Sequence, residues 1–418
     1  MIGFPAIMPY IEQLVFTGFT IRKDWLDKLS LPVPETIDDW ENVLTAFRDK
    51  DPNGNGQKDE LPTTWVGGNS FWWNVLRFST AWGTHWDFYV KGGVSKGQIR
   101  YGPIEPEFKD VITRLNKWYK EGLIDKNYLT NDKRLFENHF LNDRAGATYS
   151  VFEMGNWNVA KSKDPNFLMW PTPYPKLKAD GKIYAGLDQR LMNMGMPNDR
   201  VTITKNNKHP VETAKWMDWN GYSMEGIMLA QFGIEGITYT MVNGWPKWTD
   251  LMIKNPDGLN LNDAKNKLIG SGGVTISSEF NVAESIGNTP ATRQLTKSWT
   301  KGWLESEEQN LAVPAIYLTP EEARVDIKRI QDIKTLVNEK LDKFITGAEP
   351  MENWDKFVAQ LKQMGIEESV KVRQVALERW RQRGNIKYEI RYETIKSYKD
   401  VELVTKKGYD FMDADLKK

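Results

Sequence analysis

A ten-residue segment, residues 51–60, carries an oxygen-bearing side chain at nearly every second position. Asp51, Asn53 and Asn55 occupy its first, third and fifth positions, and Gly56 follows at the sixth, where the backbone must turn sharply. Calcium binds several such oxygens in a compact loop, together with a carbonyl from the seventh position, which Gln57 can supply. The first half of the segment therefore follows the pattern of an EF-hand loop.

The second half departs from that pattern. Pro62 stands where an EF-hand has its last glutamate, so nearby carboxylates must complete the site, and the residues that follow look extended. The alternative is an Asn-Gly-rich surface turn without metal. Six oxygen donors in alternation favour one structural Ca²⁺. Its expected ligands are Asp51, Asn53, Asn55, the carbonyl of Gln57, Asp59 and Glu60.

Tryptophan is the compositional outlier, with 18 among 418 residues. Its apolar face suits the C–H faces of sugar rings, although core packing is the alternative for each one. The tryptophans on helical stripes, Trp40, Trp118, Trp216 and Trp354, are interpreted as core. Aromatics in loops or beside glycine, with two polar residues near strand ends, are the sugar-binding candidates. These are Trp157, Trp86, Trp73, Trp82, Tyr239, Glu153 and Arg190.

Charge and residue content argue against several classes of protein. Lys plus Arg and Asp plus Glu both number 56, a balance that indicates no nucleic-acid partner. Cysteine is absent, and the three histidines lack metal-ligand spacing. No motif of an enzyme stands out, so the chain is predicted not to be one. Two alternatives remain open, a glycoside hydrolase with a carboxylate pair such as Glu153 and Asp188, and a calcium-stabilised surface carbohydrate-binding or adhesion module.

The elements that must position these residues alternate between strand and helix, which predicts an α/β architecture with a helical C-terminal layer. Apolar spacing and end signals mark the helices, and short apolar runs mark the strands. The main predictions are strands at 16–21, 98–101 and 145–151, an amphipathic helix from Glu107 to Gly122, and helices throughout 320–383.

Several short motifs follow one another along the chain, each occurring once. They include Ile21–Leu29 before the 51–60 loop, Trp118–Ile124, Phe232–Tyr239 (FGIEGITY), Leu318–Ala323 and Phe344–Gly347. In this order they resemble extracellular solute-binding proteins of family 1. Within that family they are most similar to the ABC-importer lipoproteins that include alginate-binding and LipO-like proteins. The similarity extends over about residues 10–383.

The resemblance implies a two-lobed, type II periplasmic-binding-protein-like fold whose inter-lobe cleft holds an oligosaccharide by aromatic stacking. It also implies a non-catalytic, monomeric protein that serves the permease membrane subunits of an ABC transporter. In the alginate-binding relatives the loop that matches residues 51–60 binds calcium. The expected location is extracellular or at the cell surface through a lipid anchor.

This chain departs from the family at its beginning, because 21 residues precede the Arg22-Lys23-Asp24-Trp25 motif, without a signal peptide or lipobox. We therefore expect an N-terminal truncation and an incomplete N-lobe. The expected organisation is a remnant of the N-lobe and hinge at 1–20, the C-lobe at 21–190, N-lobe and cleft loops at 191–315, C-terminal helices at 316–383 and an atypical tail at 384–418.

Overall fold

The structure is a computed structural model, and it describes the chain in segments. These are residues 3–5, 15, 17–67, 75–151, 164, 166–185, 200–259, 261–269, 298–303, 305–306, 311–314 and 316–382. Contacts within the chain divide it into two compact units. Unit 1 comprises residues 1–14, 193–288 and 389–418, and unit 2 comprises residues 15–192 and 289–388. The C-terminal helices thus belong with the segment that contains the 51–60 loop.

A four-stranded sheet lies in unit 2. Its strands are, in order across the sheet, β3 (Leu61–Thr63), β6 (Ala145–Val151), β2 (Thr17–Arg22) and β7 (Met169–Pro171). β6 pairs antiparallel with β2, placing Tyr149 opposite Phe19, and it pairs in parallel with β3. β4 (Phe88–Lys91) and β5 (Gln98–Tyr101) form a separate antiparallel pair. The strands predicted at 16–21, 98–101 and 145–151 are confirmed.

Four helices of unit 2 precede the C-terminal layer. They are α1 Lys23–Lys28, α2 Ile37–Asp49, α3 Pro106–Lys120 and α4 Lys133–Leu141, and two 3-10 segments span Val75–Trp82 and Gly102–Ile104. α2 begins with a capping box, in which the Thr36 hydroxyl accepts from the amide of Asp39 and the Asp39 carboxylate accepts from the amide of Thr36. Such caps satisfy amides that the first helical turn leaves open.

Aromatic rings form the centre of the main core, which the helices and the sheet enclose. The ring of Phe78 lies 4.4 Å from Phe19, 5.2 Å from Trp40 and 5.1 Å from Trp118, measured between ring centres. Trp40 and Trp118 are fully buried and Trp354 is 2% exposed, which confirms all three as core residues. The core explains much of the tryptophan content without any ligand.

The C-terminal layer consists of α9 Pro320–Thr346, α10 Trp354–Gln363 and α11 Ile366–Gln382. α9 has a capping box between Thr319 and Glu322, and it ends at Gly347, whose φ of 81° is left-handed. The side-chain amide of Asn116 on α3 donates to the last carbonyls of α9, those of Phe344 and Ile345, at 2.8 and 3.2 Å. The prediction of helices throughout 320–383 is confirmed for the described residues.

Unit 1 contains two strand pairs, β1 with β8 and β9 with β10. Its elements are β1 Gly3–Pro5, β8 Arg200–Thr202, α5 Pro210–Tyr222, α6 Met224–Phe232, β9 Tyr239–Val242, β10 Trp245–Trp248, α7 Asp250–Ile253 and α8 Leu261–Leu268. Trp216 on α5 is 57% exposed, so its interpretation as core is wrong. The helix carries apolar side chains on more than one face, and the face with Trp216 stays open to solvent.

Within the described segments, no helix is both long and apolar enough to cross a bilayer.

Candidate functional site

The expected cation loop, residues 51–60, connects α2 to β3 in unit 2. α2 ends at Asp49, and β3 begins at Leu61 directly after the loop. The expectation of an extended segment after the loop is therefore confirmed. Asp51 and Gly56 have positive φ angles, 46° and 75°, so the backbone turns sharply at both ends of the oxygen-rich half. Glycine adopts such an angle without steric strain at the sixth loop position.

Side-chain oxygens along the loop accept hydrogen bonds from amides further along the chain. The Asp51 carboxylate accepts three, at 2.9, 3.1 and 3.0 Å, from Gly54, Asn55 and Gly56. The side-chain oxygens of Asn53 and Asn55 each accept from the amide two residues ahead, at 3.0 and 2.7 Å. Local bonds of this kind compete with helix and sheet and hold the backbone in a turn. The alternation in sequence thus corresponds to a chain of contacts in the loop.

Glu60 at the end of the loop has an unusual environment. Both oxygens of its carboxylate are shielded from solvent, and no other described residue donates a well-formed hydrogen bond to them; only the Glu60 amide and the Asp51 carboxyl group lie close enough to interact. Burial raises the pKa of Glu60, and the negative charges of Asp51 and Asp59 raise it further. For Asp51, desolvation alone would raise the pKa, but hydrogen bonds from the loop amides to the carboxylate outweigh it, so the pKa is lowered. A shielded carboxylate beside two others, without a well-formed hydrogen bond, is a group that a divalent cation would compensate.

The turn before β6 holds the loop from outside. Arg144 Nε lies 3.0 Å from Asp59 Oδ2 and donates to the Asp59 carbonyl at 3.1 Å. The Asn53 side-chain amide donates to the Asp143 carbonyl at 3.1 Å. The Asp143 carboxylate in turn pairs with the buried guanidinium of Arg22, 2.5 Å away. The loop is therefore tied to the beginning of β6 and, through it, to the sheet.

Carboxylates alone do not build a metal site here. In the described part of the chain, no group of three histidine, cysteine, aspartate or glutamate side chains is placed to hold a metal ion. A cation in the loop would also need the amide oxygens of Asn53 and Asn55, and calcium accepts these alongside carboxylates. By type, these oxygen donors suit Ca²⁺, but here the Asn53 and Asn55 oxygens accept from loop amides and their side-chain NH2 groups face Asp59, so ion binding would require the two amides to turn. The structure brings the candidate ligands together in one turn, whereas their coordination stays a prediction.

A second feature of unit 2 is a stack of aromatic and cationic side chains. The guanidinium carbon of Arg77 lies 5.0 Å from the ring centre of Trp86 and 4.7 Å from that of Tyr149. The ring of His85 lies against Trp86, with centres 3.7 Å apart. The Tyr149 hydroxyl lies 2.9 Å from the hydroxyl of Thr17, the first residue of β2. The stack therefore extends from the Val75–Trp82 segment to one end of the sheet.

Burial fixes the charge state of His85 in this stack. Burial lowers its pKa well below the ordinary value, and the positive charge of Arg77 lowers it further. His85 Nδ1 accepts a hydrogen bond from the amide of Asp87 at 3.0 Å, so the neutral ring carries its proton on Nε2. His85 is thus a neutral core residue.

The predicted sugar-binding residues lie in different parts of the chain. Trp82 and Trp86 lie in unit 2, half-buried, and pack against the main core. Tyr239 lies in unit 1 at the beginning of β9, 7% exposed, with its ring centre 5.8 Å from that of Phe232. Their binding roles stay predictions. The remaining candidates lie outside the described residues; these are Trp73, Trp157, Glu153 and Arg190.

Sequence reasoning missed the partners of Trp86. Arg77 gave a signal, because a single charge inside an apolar, aromatic segment is seldom buried without partners. Tyr149 gave none, since its hydroxyl contact to Thr17 joins positions 132 residues apart. The pairing of β2 with β6 brings Tyr149 to Thr17, and the packing of the Val75–Trp82 segment against β6 brings Tyr149 to Arg77.

The sequence is similar to those of known solute-binding proteins. Residues 5–219 match the family of bacterial extracellular solute-binding proteins. FusA of Streptococcus pneumoniae, a fructooligosaccharide ABC transporter substrate-binding protein, is 29% identical over 201 residues, which are 47% of this chain and 35% of FusA. Lipoprotein LipO of Bacillus subtilis is 36% identical over 139 residues, 32% of this chain and 26% of LipO. The matched segments thus span about a third of the length of FusA and about a quarter of that of LipO.

Solved structures share the fold over most of the chain. The alginate-binding protein AlgQ2, in a structure without calcium ion, aligns with a TM-score of 0.63 and 25% identity over 87% of this chain and 72% of AlgQ2. An EF-hand mutant of FusA in complex with fructo-nystose aligns with a TM-score of 0.67 and 19% identity over 91% of this chain and 76% of that one. The predicted periplasmic-binding-protein-like α/β fold is thereby confirmed.

Proposed function

This chain belongs to the family of bacterial extracellular solute-binding proteins, and from that premise we propose that it binds an oligosaccharide for an ABC importer. The similarity to FusA, named as a fructooligosaccharide ABC transporter substrate-binding protein, carries the proposal. The family and its structural neighbours are substrate-binding proteins, which confirms the prediction that the chain is not an enzyme. Permease subunits are the expected partners, and the cell exterior is the expected location.

Trp86 and Trp82 are the two described tryptophans that we propose to contact the sugar. Both rings are half-buried, so each is held in place by the core and still has surface that a ligand can reach. Arg77 and His85 contact the ring of Trp86 and fix its orientation. A ring held in this way loses little conformational entropy when a sugar stacks on it. Trp73, Trp157, Tyr239, Glu153 and Arg190 complete the proposed set.

Titration with oligosaccharides tests this proposal. We expect kestose or a related oligosaccharide to quench tryptophan fluorescence saturably, without release of reducing ends. Trp86→Ala should weaken binding about tenfold, because a lost aromatic contact is worth about 1 to 1.5 kcal/mol. Trp216→Ala is the matched control, since Trp216 is an exposed tryptophan outside the proposed set. Absence of saturable binding across neutral and acidic oligosaccharides would refute the function.

We also propose that the 51–60 loop binds one structural Ca²⁺. The proposed ligands are Asp51, Asn53, Asn55, the carbonyl of Gln57, Asp59 and Glu60. Support comes from the shielded carboxylate of Glu60 and from the alternating side-chain oxygens. The related structures of a calcium-free AlgQ2 and of an EF-hand mutant of FusA also support it. The bound ion would supply positive charge that neutralises the loop carboxylates.

Calcium removal tests the loop separately from the sugar. Thermal melting in Ca²⁺ and in EDTA should differ for the wild-type chain, because an ion bound only by the folded state stabilises that state. An Asp51→Ala variant should lose the difference. Equal melting temperatures for the wild-type chain in both conditions would count against the ion and would leave the sugar proposal untouched.

A further inference from the structure

Lys28, the last residue of α1, reaches the cation loop from outside it. Its Nζ donates to the carbonyl of Pro52 at 2.7 Å. A Cβ added to Gly54 would lie 2.7 Å from the same nitrogen, so the ammonium group lies directly against the loop backbone. Lys28 is therefore an electrostatic neighbour of the loop.

The partners of Lys28 differ from those of the other cations nearby. Arg144 is ion-paired with Asp59, and Lys23, on the same helix as Lys28, is ion-paired with Asp27. In the described part of the chain, Lys28 donates to a backbone carbonyl and has no carboxylate within ion-pair distance. Its charge is therefore not compensated locally by one acid, and it lies against the loop backbone at Pro52 and Gly54.

We propose that Lys28 is a built-in counter-ion of the 51–60 loop, which weakens the affinity of the loop for calcium and stabilises the loop when calcium is absent. The inference rests on the calcium site proposed above. A fixed positive charge repels an arriving divalent cation, and the number of charges around such loops sets their affinity. The same charge compensates carboxylates that would otherwise repel one another.

The size of the effect follows from Coulomb's law. A unit charge a few ångströms beyond the ligand shell, in a half-exposed site, changes the affinity for a divalent ion by about tenfold. Salt screens such an interaction, since the Debye length is about 10 Å at 0.1 M ionic strength. The proposal therefore makes two linked predictions, a tighter site without the Lys28 charge and a smaller gain at high salt.

Calorimetric titration of the full chain with Ca²⁺ tests the inference. Lys28→Met keeps the aliphatic stem and removes the charge, so we expect about tenfold tighter binding at low salt and a smaller gain at high salt. In EDTA this variant should melt below the wild-type chain. Lys28→Arg keeps the charge and should bind like the wild type. Lys23→Met is the matched control, because it removes a lysine of the same helix that is paired elsewhere.

The outcomes separate the two proposals. If the wild-type chain binds Ca²⁺ and Lys28→Met binds equally or more weakly, Lys28 only shapes the loop through the Pro52 carbonyl and the counter-ion role is wrong. If neither protein binds Ca²⁺ while circular dichroism shows both folded, the calcium site itself is wrong. Binding by Lys28→Met alone would support the inference in its strongest form.

Discussion

Replacing Glu60 with glutamine should change stability in opposite directions with and without calcium. Both oxygens of the Glu60 carboxylate are shielded and receive no well-formed hydrogen bond from another described residue, and burial with the charges of Asp51 and Asp59 raises its pKa. A shielded polar group without a partner costs about 1–3 kcal/mol. Glutamine keeps the shape and removes the charge. Because the residue is only half-buried, we expect the calcium-free variant to gain about 1 kcal/mol.

With calcium present the same substitution removes a charged ligand. A tenfold loss of affinity lowers the stabilisation by bound ion by about 1.4 kcal/mol. Differential scanning calorimetry of the wild-type and Glu60→Gln chains in EDTA and in Ca²⁺ measures both effects. For a unit of this size, 1 kcal/mol corresponds to about 2–4 °C in melting temperature. Because the gain of about 1 kcal/mol persists in calcium, the net change there is a loss of about 0.4 kcal/mol, so the variant should melt about 2–4 °C above the wild type in EDTA and about 1 °C below it in calcium.

The decisive result is a change in melting temperature, relative to the wild type, that is positive in EDTA and negative in calcium. Glu35→Gln is the matched control, because the Glu35 side chain is 62% exposed and lies outside the loop. This variant should melt like the wild type in both conditions. If Glu60→Gln melts below the wild type by the same amount in EDTA and in calcium, Glu60 has a role in the fold alone. The idea of a carboxylate that lacks its cation would then be refuted.

Three further substitutions test other parts of unit 2. Burial raises the pKa of Asp342 from 3.8 to about 6, so ionisation of this carboxyl group destabilises the fold as the pH rises through that interval. Asp342→Asn should therefore raise the melting temperature at pH 7.5. Below about pH 4, where the carboxyl group is protonated in both the folded and the unfolded state, the variant should lose this advantage. Asn116→Ala should cost about 1–3 kcal/mol in denaturant unfolding, because the Phe344 and Ile345 carbonyls lose their buried donor. Gly18→Ala should cost about 1–3 kcal/mol and shift tryptophan fluorescence, because its Cβ would lie 2.2 Å from the ring of Trp299; unchanged emission and stability would contradict the packing.

Much of unit 2 could be predicted from sequence because its determinants are local. The α3 and α9 helices follow from apolar spacing with clear ends, such as Pro320 at the beginning of α9 and Gly347 after it. The loop oxygens could be identified because the residues that form the turn are neighbours in sequence. Their amide contacts follow the alternation of side chains at Asp51, Asn53 and Asn55.

Features made by distant residues could not be predicted in this way. The stack of Arg77 between Trp86 and Tyr149 requires the Val75–Trp82 segment to pack against β6, which no local pattern specifies. The bond from the Asn53 side chain to the Asp143 carbonyl likewise joins the loop to a turn 90 residues away in sequence. Trp216 shows the reverse case, since apolar spacing predicts a buried side chain only where another surface covers it.

The exit of the 51–60 loop into β3 has a mechanical consequence. In calcium sensors with EF-hands, the ion changes the angle between two helices and exposes an apolar groove. Here a helix, α2, enters the loop, and a strand, β3, leaves it to pair in parallel with β6. No second helix is present to swing open at this loop. An ion bound there would hold the edge strand β3 in register with β6. Loss of the ion would loosen this edge of the sheet and would not open a groove for a partner.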